Sequence, residues 1–175
     1  MPTRRRPRGK RKPAAAFRHP VMKPIGRTET AALARLRSIC LALPGVTEKI
    51  AWGEPTWRAG KIFAQMDTHH HGADHMAVWL PARPGLQEAL VEENPEQFFR
   101  PPYVGHRGWI GLRIDRKPDW RIIAGLVAAA YREVAPPQLI AQLDASRGKP
   151  KRGWRADWLD FADATRPANR ARGGR

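Results

Sequence analysis

A single cysteine, Cys40, is all the thiol chemistry this chain of 175 residues possesses. One thiol closes no intramolecular disulfide and builds no cysteine-based zinc site, so the sequence suits a reducing compartment. Long apolar runs are missing too: the most apolar stretch, Ile122 to Tyr131, is about half of what crossing a bilayer requires. The arginine-rich start gives way only to Ala14, Ala15, Ala16 and Phe17 before charge resumes, too little for the apolar centre of a secretory signal. Pro2, Pro7, Pro13, Pro20 and Pro24 break the amphipathic helix of a transit peptide. A cytoplasmic protein is therefore expected, nucleoid-associated if bacterial, with no membrane partner. Also lacking are a glycine-rich phosphate loop, a serine in a nucleophile elbow and carboxylates paired at a readable spacing. The residue pattern thus leans away from an enzyme while leaving that open to convergence in space, and it calls for no cofactor.

What the chain has in excess is positive charge, and it sits at the two ends. Residues 1–27 hold ten Lys/Arg, namely Arg4, Arg5, Arg6, Arg8, Lys10, Arg11, Lys12, Arg18, Lys23 and Arg27, and no acid. Residues 145–175 hold nine against Asp157, Asp160 and Asp163, while residues 28–144 balance 13 basic with 13 acidic side chains. A neutral fold with cationic arms is the pattern of a domain tethered to a polyanion by its tails, and nucleic acid is the expected partner. The opening arm, rich in proline and arginine and poor in large apolar residues, is expected to stay disordered until it meets that partner.

The neutral middle, residues 28–144, has the length of one ordinary domain. Thr28 as cap, Glu29 in the first turn, and Leu33, Leu36, Ile39/Cys40 and Leu43 at helical spacing predict a helix that stops at Pro44-Gly45. Strands are expected over Thr47–Trp52, Thr56–Arg58, Ile62–Asp67 and His75–Leu80. They are joined by Gly53-Glu54-Pro55, Ala59-Gly60 and Thr68–Asp74, connections short enough for antiparallel hairpins. A helix over Gly85–Glu93, a Pro-rich loop over Asn94–Gly108, a strand over Trp109–Ile114 and an amphipathic helix over Asp119–Val134, ended by Pro136-Pro137, follow. Beyond the domain, Ser146–Gly153 reads as a basic linker. Trp154, Trp158 and Phe161/Ala162 then recur at the spacing of a short amphipathic helix, which either latches onto the domain or offers a face to a protein partner. A flexible basic tail ends the chain.

The order and spacing of Pro44-Gly45-Val46, Trp52-Gly53-Glu54-Pro55, Gly60-Lys61-Ile62-Phe63-Ala64 and Ala130-Tyr131-Arg132, with WIGLRID between them and LIAQL after them, resemble the MmcQ/YjbR family of small bacterial proteins. The resemblance covers residues 30–144. It implies an α+β fold of frataxin-like topology, an antiparallel sheet with helices packed on one side. It also implies an association with DNA binding through a double-wing arrangement, and no catalytic residues. The basic arms and the tail after Asp144 are additions to the family's usual form.

Two surfaces of the domain carry candidate contacts. Trp57 and Arg58 stand just before Gly60-Lys61, where a hairpin tip would let Trp57 stack a base while Arg58 and Lys61 hold phosphates. The competing expectation is a tryptophan packed in the core, as for Trp52, Trp79, Trp109 and Trp120. The second surface is the loop around Tyr103, His106 and Arg107, with Arg100 at its start, on a backbone restricted by Pro101-Pro102. Arg100 and Arg107 would add phosphate contacts there; in the alternative reading Tyr103, His106 and Arg107 line the pocket of a small-molecule-binding or enzymatic domain. His69, His70, His71 and His75 form the only metal-like cluster. Adjacent histidines in a strand-linking loop diverge and lack the i, i+4 pairing of helical zinc sites, so a polar loop without metal is expected. Cys40, on the apolar face of the first helix, is expected to be an inert buried thiol. Together these features predict non-enzymatic, low-specificity binding of nucleic acid, duplex DNA above all, through the arms and one hairpin or loop surface.

Overall fold

The computed structural model describes residues 26–69 and 73–147. The Arg4–Lys12 cluster, His70, His71 and the Trp154–Ala162 stretch lie outside them. Trp52 and Gly53 both take positive φ, 54° and 83°, the signature of a two-residue type I′ hairpin turn. This turn sets Ala51 opposite Glu54 and pairs β1 (Thr47–Ala51) with β2 (Glu54–Ala59). Glu54 and Pro55 therefore belong to a strand, not to the connection expected for them. A second turn at Gly60, φ 81°, leads into β3 (Lys61–Thr68), which pairs with β4 (Met76–Pro81). Next come α2 (Leu86–Glu93), the short β5 (Phe98–Phe99) and β6 (Trp109–Arg113), the last paired with β4 on one side and β5 on the other. All pairings are antiparallel, and the six strands form one open sheet in the order β1-β2-β3-β4-β6-β5. Strand β5 lies inside the stretch expected to be loop, because Phe98 needs a place in the core and two residues carry no readable period.

Helix α1 (Arg27–Leu41) begins one residue before Thr28. Glu29 reaches back to accept the Gly26 N–H at 2.6 Å, which satisfies a donor the helix leaves open. At α3 (Trp120–Val134) the Asp119 carboxylate accepts the Arg121 N–H at 2.8 Å, the capping expected from the sequence. The double proline ends α3 as expected, but it also opens a fourth helix, α4 (Pro137–Arg147). Proline suits a first helical turn, whose N–H has no intrahelical partner. That helix carries through Ser146, where a linker was expected.

Helices α1 and α3 cover one face of the sheet, so the fold is α+β, with its core between that face and the helices. Leu36 and Cys40 from α1 meet Trp57, Met66, Val78 and Leu112 from the strands and Ile123, Val127 and Tyr131 from α3. Tyr131 packs edge-on against Phe63, with centroids 5.5 Å apart, and its hydroxyl donates to the Pro44 carbonyl at 2.9 Å. This pins the corner after α1 to α3. Gly45 completes that corner with φ 64°, and Leu139 of α4 lies against it, so a Cβ there would stand 2.8 Å from Leu139 Cδ1. Among the described residues no helix is long and apolar enough to cross a membrane.

Candidate nucleic-acid interface

Five of the six residues of β2 are buried, and only Arg58 is partly exposed. Trp57 lies opposite Ala64 on the helix-covered face and is fully buried. Its Nε1–H donates to Glu48 Oε2 at 3.1 Å, and the same carboxylate takes two N–H groups of Arg37, from Nε at 2.8 Å and from Nη2 at 2.9 Å. Arg37 holds the Glu48 carboxyl below the usual carboxylate range. The ring expected to stack a base is therefore a core side chain anchoring an ion pair, and it cannot meet a ligand. Arg58, its neighbour, is half-buried, with Nε 3.4 Å from Thr56 Oγ1, while Lys61 is exposed at the turn beyond. The hairpin tip thus presents two cations and no aromatic.

On the edge hairpin the aromatic that reaches solvent is Trp52, expected from the sequence in the core. Trp52 is 59% exposed and Ile50 66% exposed on the edge hairpin, beside exposed Lys49. The missed signal was the dipeptide Trp52-Gly53 itself: once both residues occupy a two-residue turn, the tryptophan side chain is at the tip. The Trp52 turn and the Gly60 turn sit at opposite ends of β2, whose six residues span roughly 20 Å. Aromatic and cationic tips are therefore neighbours along one edge, not one cluster.

At the other edge, the stretch after β5 closes into a short 3-10 turn, Gly105–Arg107. Arg100, Tyr103, His106 and Arg107 are all exposed. Between this loop and α2 lies a cavity of about 450 Å³ lined by Gln87, Glu88, Arg100, Pro101, Gly105, His106 and Gly108. Arg100 and His106 are brought together there, whereas Tyr103 and Arg107 are not among its walls. Gln87 and Glu88 come from α2, and nothing in the loop's own sequence announces them.

The chain segment richest in ordered turns, strands and packed tryptophans also carries the family signature, since residues 41–133 match the YjbR family model. The chain belongs to the YjbR family. A similar solved structure is the crystal structure of Deinococcus radiodurans protein DR2400, a DUF419 domain. It shares 18% identity with a TM-score of 0.53, covering 69% of this chain and 92% of that one, a likeness of fold. No curated protein matches the sequence.

In this YjbR chain several further titratable groups are tied into the fold. His69 Nε2 is 2.7 Å from Glu29 Oε1, joining the end of β3 to the start of α1. His75 lies 3.7 Å from Asp67 and 3.4 Å from Asp74. Among the described residues no group of three or more His, Cys, Asp or Glu is placed to hold a metal ion. Glu54 is buried and accepts the Thr68 N–H at 2.8 Å and the Thr68 hydroxyl at 3.1 Å. Burial pushes its carboxyl up, the Thr68 bonds oppose this, and the neighbouring Asp67 adds to the rise. Asp67 in turn accepts the Trp79 indole N–H at 3.1 Å. Cys40 is buried, and burial raises its thiol so far that no thiolate forms near neutrality.

Proposed function

We propose that this YjbR-family protein binds nucleic acid, duplex DNA in the first instance, with low sequence specificity and without catalysis. The observation that carries the reading is the segregation of charge: ten cations and no acid in residues 1–27, nine cations and three acids in residues 145–175, and a neutral domain between them. Cationic arms bind phosphates without regard to sequence and release counterions as they do so. The domain's part is to orient the duplex, and the β1–β3 edge suits this better than the far loop. Lys49, Arg58 and Lys61 lie on that edge, while its acids are engaged inside: Glu48 with Arg37, Glu54 and Asp67 by burial. Trp52 and Ile50 add an apolar contact there in place of Trp57. Arg100 and Arg107, by contrast, share their edge with exposed Glu88, Glu92, Glu93 and Glu96, which repel a polyanion.

The reading is tested by titrating a 20-base-pair duplex of arbitrary sequence with the full chain and with a form lacking residues 1–25, which spares the Gly26 cap of α1. If about five arm cations contact phosphates, log affinity falls with log salt with a slope steeper by about 4 to 5 in the full chain. Equal slopes would refute the arm's role. Arg58→Ala with Lys61→Ala should weaken binding about tenfold, the loss of two charge-assisted phosphate contacts, with unchanged melting.

A further inference from the structure

The cavity between α2 and the loop before β6 has a lining unlike that of a phosphate-backbone site. At its wall stands Gln87, only 4% exposed. Both its Nε2 hydrogens are committed, to the Gly105 carbonyl at 2.7 Å and the Trp109 carbonyl at 2.6 Å. Because both partners are acceptors, the amide can face only one way, and Oε1 is left as an acceptor with no hydrogen bond among the described residues. That oxygen is reached by solvent, since among the described residues His75 Nε2 alone is a buried side-chain polar atom without a partner, and it is open to a donor from a molecule in the cavity. Glu88, next in the first turn of α2, adds a second acceptor group, and across the cavity Arg100 supplies donors and positive charge and His106 a ring nitrogen. Two of its lining residues are glycines set by the backbone: Gly108 takes φ 79°, and a Cβ on Gly105 would lie 3.3 Å from that of Arg100. A volume of about 450 Å³ is in the range of small-molecule sites and far beyond a single ion.

We propose that this cavity binds a nucleotide-sized molecule with N–H donors at one end and an anionic group at the other. The donors meet Gln87 Oε1 and the Glu88 carboxylate, and the anionic group meets Arg100 and His106. Guanine nucleotides have this chemistry, since adjacent N–H groups on the base edge match a carboxylate that accepts two bonds side by side. The site lies in the domain and draws nothing from the arms, so it stands or falls separately from DNA binding.

The test is a titration of the ¹⁵N-labelled full chain with GMP, guanosine and inorganic phosphate, followed through the amide signals of Gln87, Glu88, Gly105 and Gly108. GMP should shift these signals saturably below about 10 mM, the weak end of specific affinity, and more tightly than either half alone. Arg100→Ala, a change at an exposed position, should weaken GMP at least tenfold and leave guanosine unaffected; Glu88→Gln should weaken guanosine and leave phosphate unaffected. No saturable shift with GMP, phosphate binding as tightly as GMP, or GMP affinity indifferent to Arg100→Ala would each overturn the proposal.

Discussion

Alanine in place of Trp57 removes a fully buried indole from the seam between sheet and helices. An aromatic of this kind buries about 150–250 Å², worth about 4–6 kcal/mol at 25 cal/mol per Å², in line with the roughly 3–5 kcal/mol that such truncations cost. Glu48 loses one donor but keeps Arg37, so no orphaned charge is added. At roughly 3 °C per kcal/mol for a chain of this size, Tm should fall by about 10–15 °C. Trp52→Ala is the contrasting change: the side chain is 59% exposed, and surface substitutions of this kind stay within about 0.5 kcal/mol. Thermal melts by circular dichroism measure the first effect, and fluorescence anisotropy of a labelled duplex, well below the variant's Tm, measures the second. Trp57→Ala should leave affinity within about twofold of wild type, while Trp52→Ala should weaken it by a few-fold through loss of the exposed apolar contact at the hairpin tip. A Trp57→Ala protein that melts normally yet loses DNA would show that the indole faces nucleic acid and that the register of β2 is wrong.

Gly45→Ala should cost about 2–3 kcal/mol, from the left-handed backbone and from the crowding of Leu139, and Leu139→Ala in the same chain should return part of it in a double-mutant cycle; a neutral Gly45→Ala would contradict the corner described for α1 and α4. The folded state binds the Glu54 proton more tightly than the unfolded chain does, so Glu54's contribution is greatest in acid and declines as pH rises from the ordinary carboxylate range through its raised value. Glu54→Gln removes that slope, and urea titrations should show the two proteins converging at low pH and the variant ahead at neutral pH; parallel curves would be inconsistent with a raised Glu54. Cys40 should resist a thiol reagent in the native protein and react fully in denaturant, whereas rapid native labelling would place it outside the core.

The sequence alone determined what depends on neighbours in the chain. Periodicity and capping located α1, α2 and α3, short turns made the strands antiparallel, and the distribution of Lys and Arg put the surplus positive charge at the two ends of the sequence. The resemblance carried by Pro44-Gly45, Trp52-Gly53 and Tyr131 was to the family that the match over residues 41–133 establishes, and Tyr131 donating to Pro44 gives two of those residues a shared structural task. Only the tertiary structure decided which tryptophan is buried, because moving a hairpin turn by one residue exchanges the faces of the strand that follows. Taking Gly53-Glu54-Pro55 as the connection hid Trp52, while Trp57 stood as a candidate through its place beside Arg58 and before Gly60-Lys61. Strand β5 and helix α4 escaped for a related reason: their apolar residues acquire a face only when Gly111 admits Phe99 and when Leu139 meets Gly45. The pairing of Glu54 with Thr68, and the meeting of Gln87 with Arg100 and His106 around one cavity, join residues far apart in the chain. Such contacts follow from strand register and helix docking, for which no local pattern of residues is a substitute.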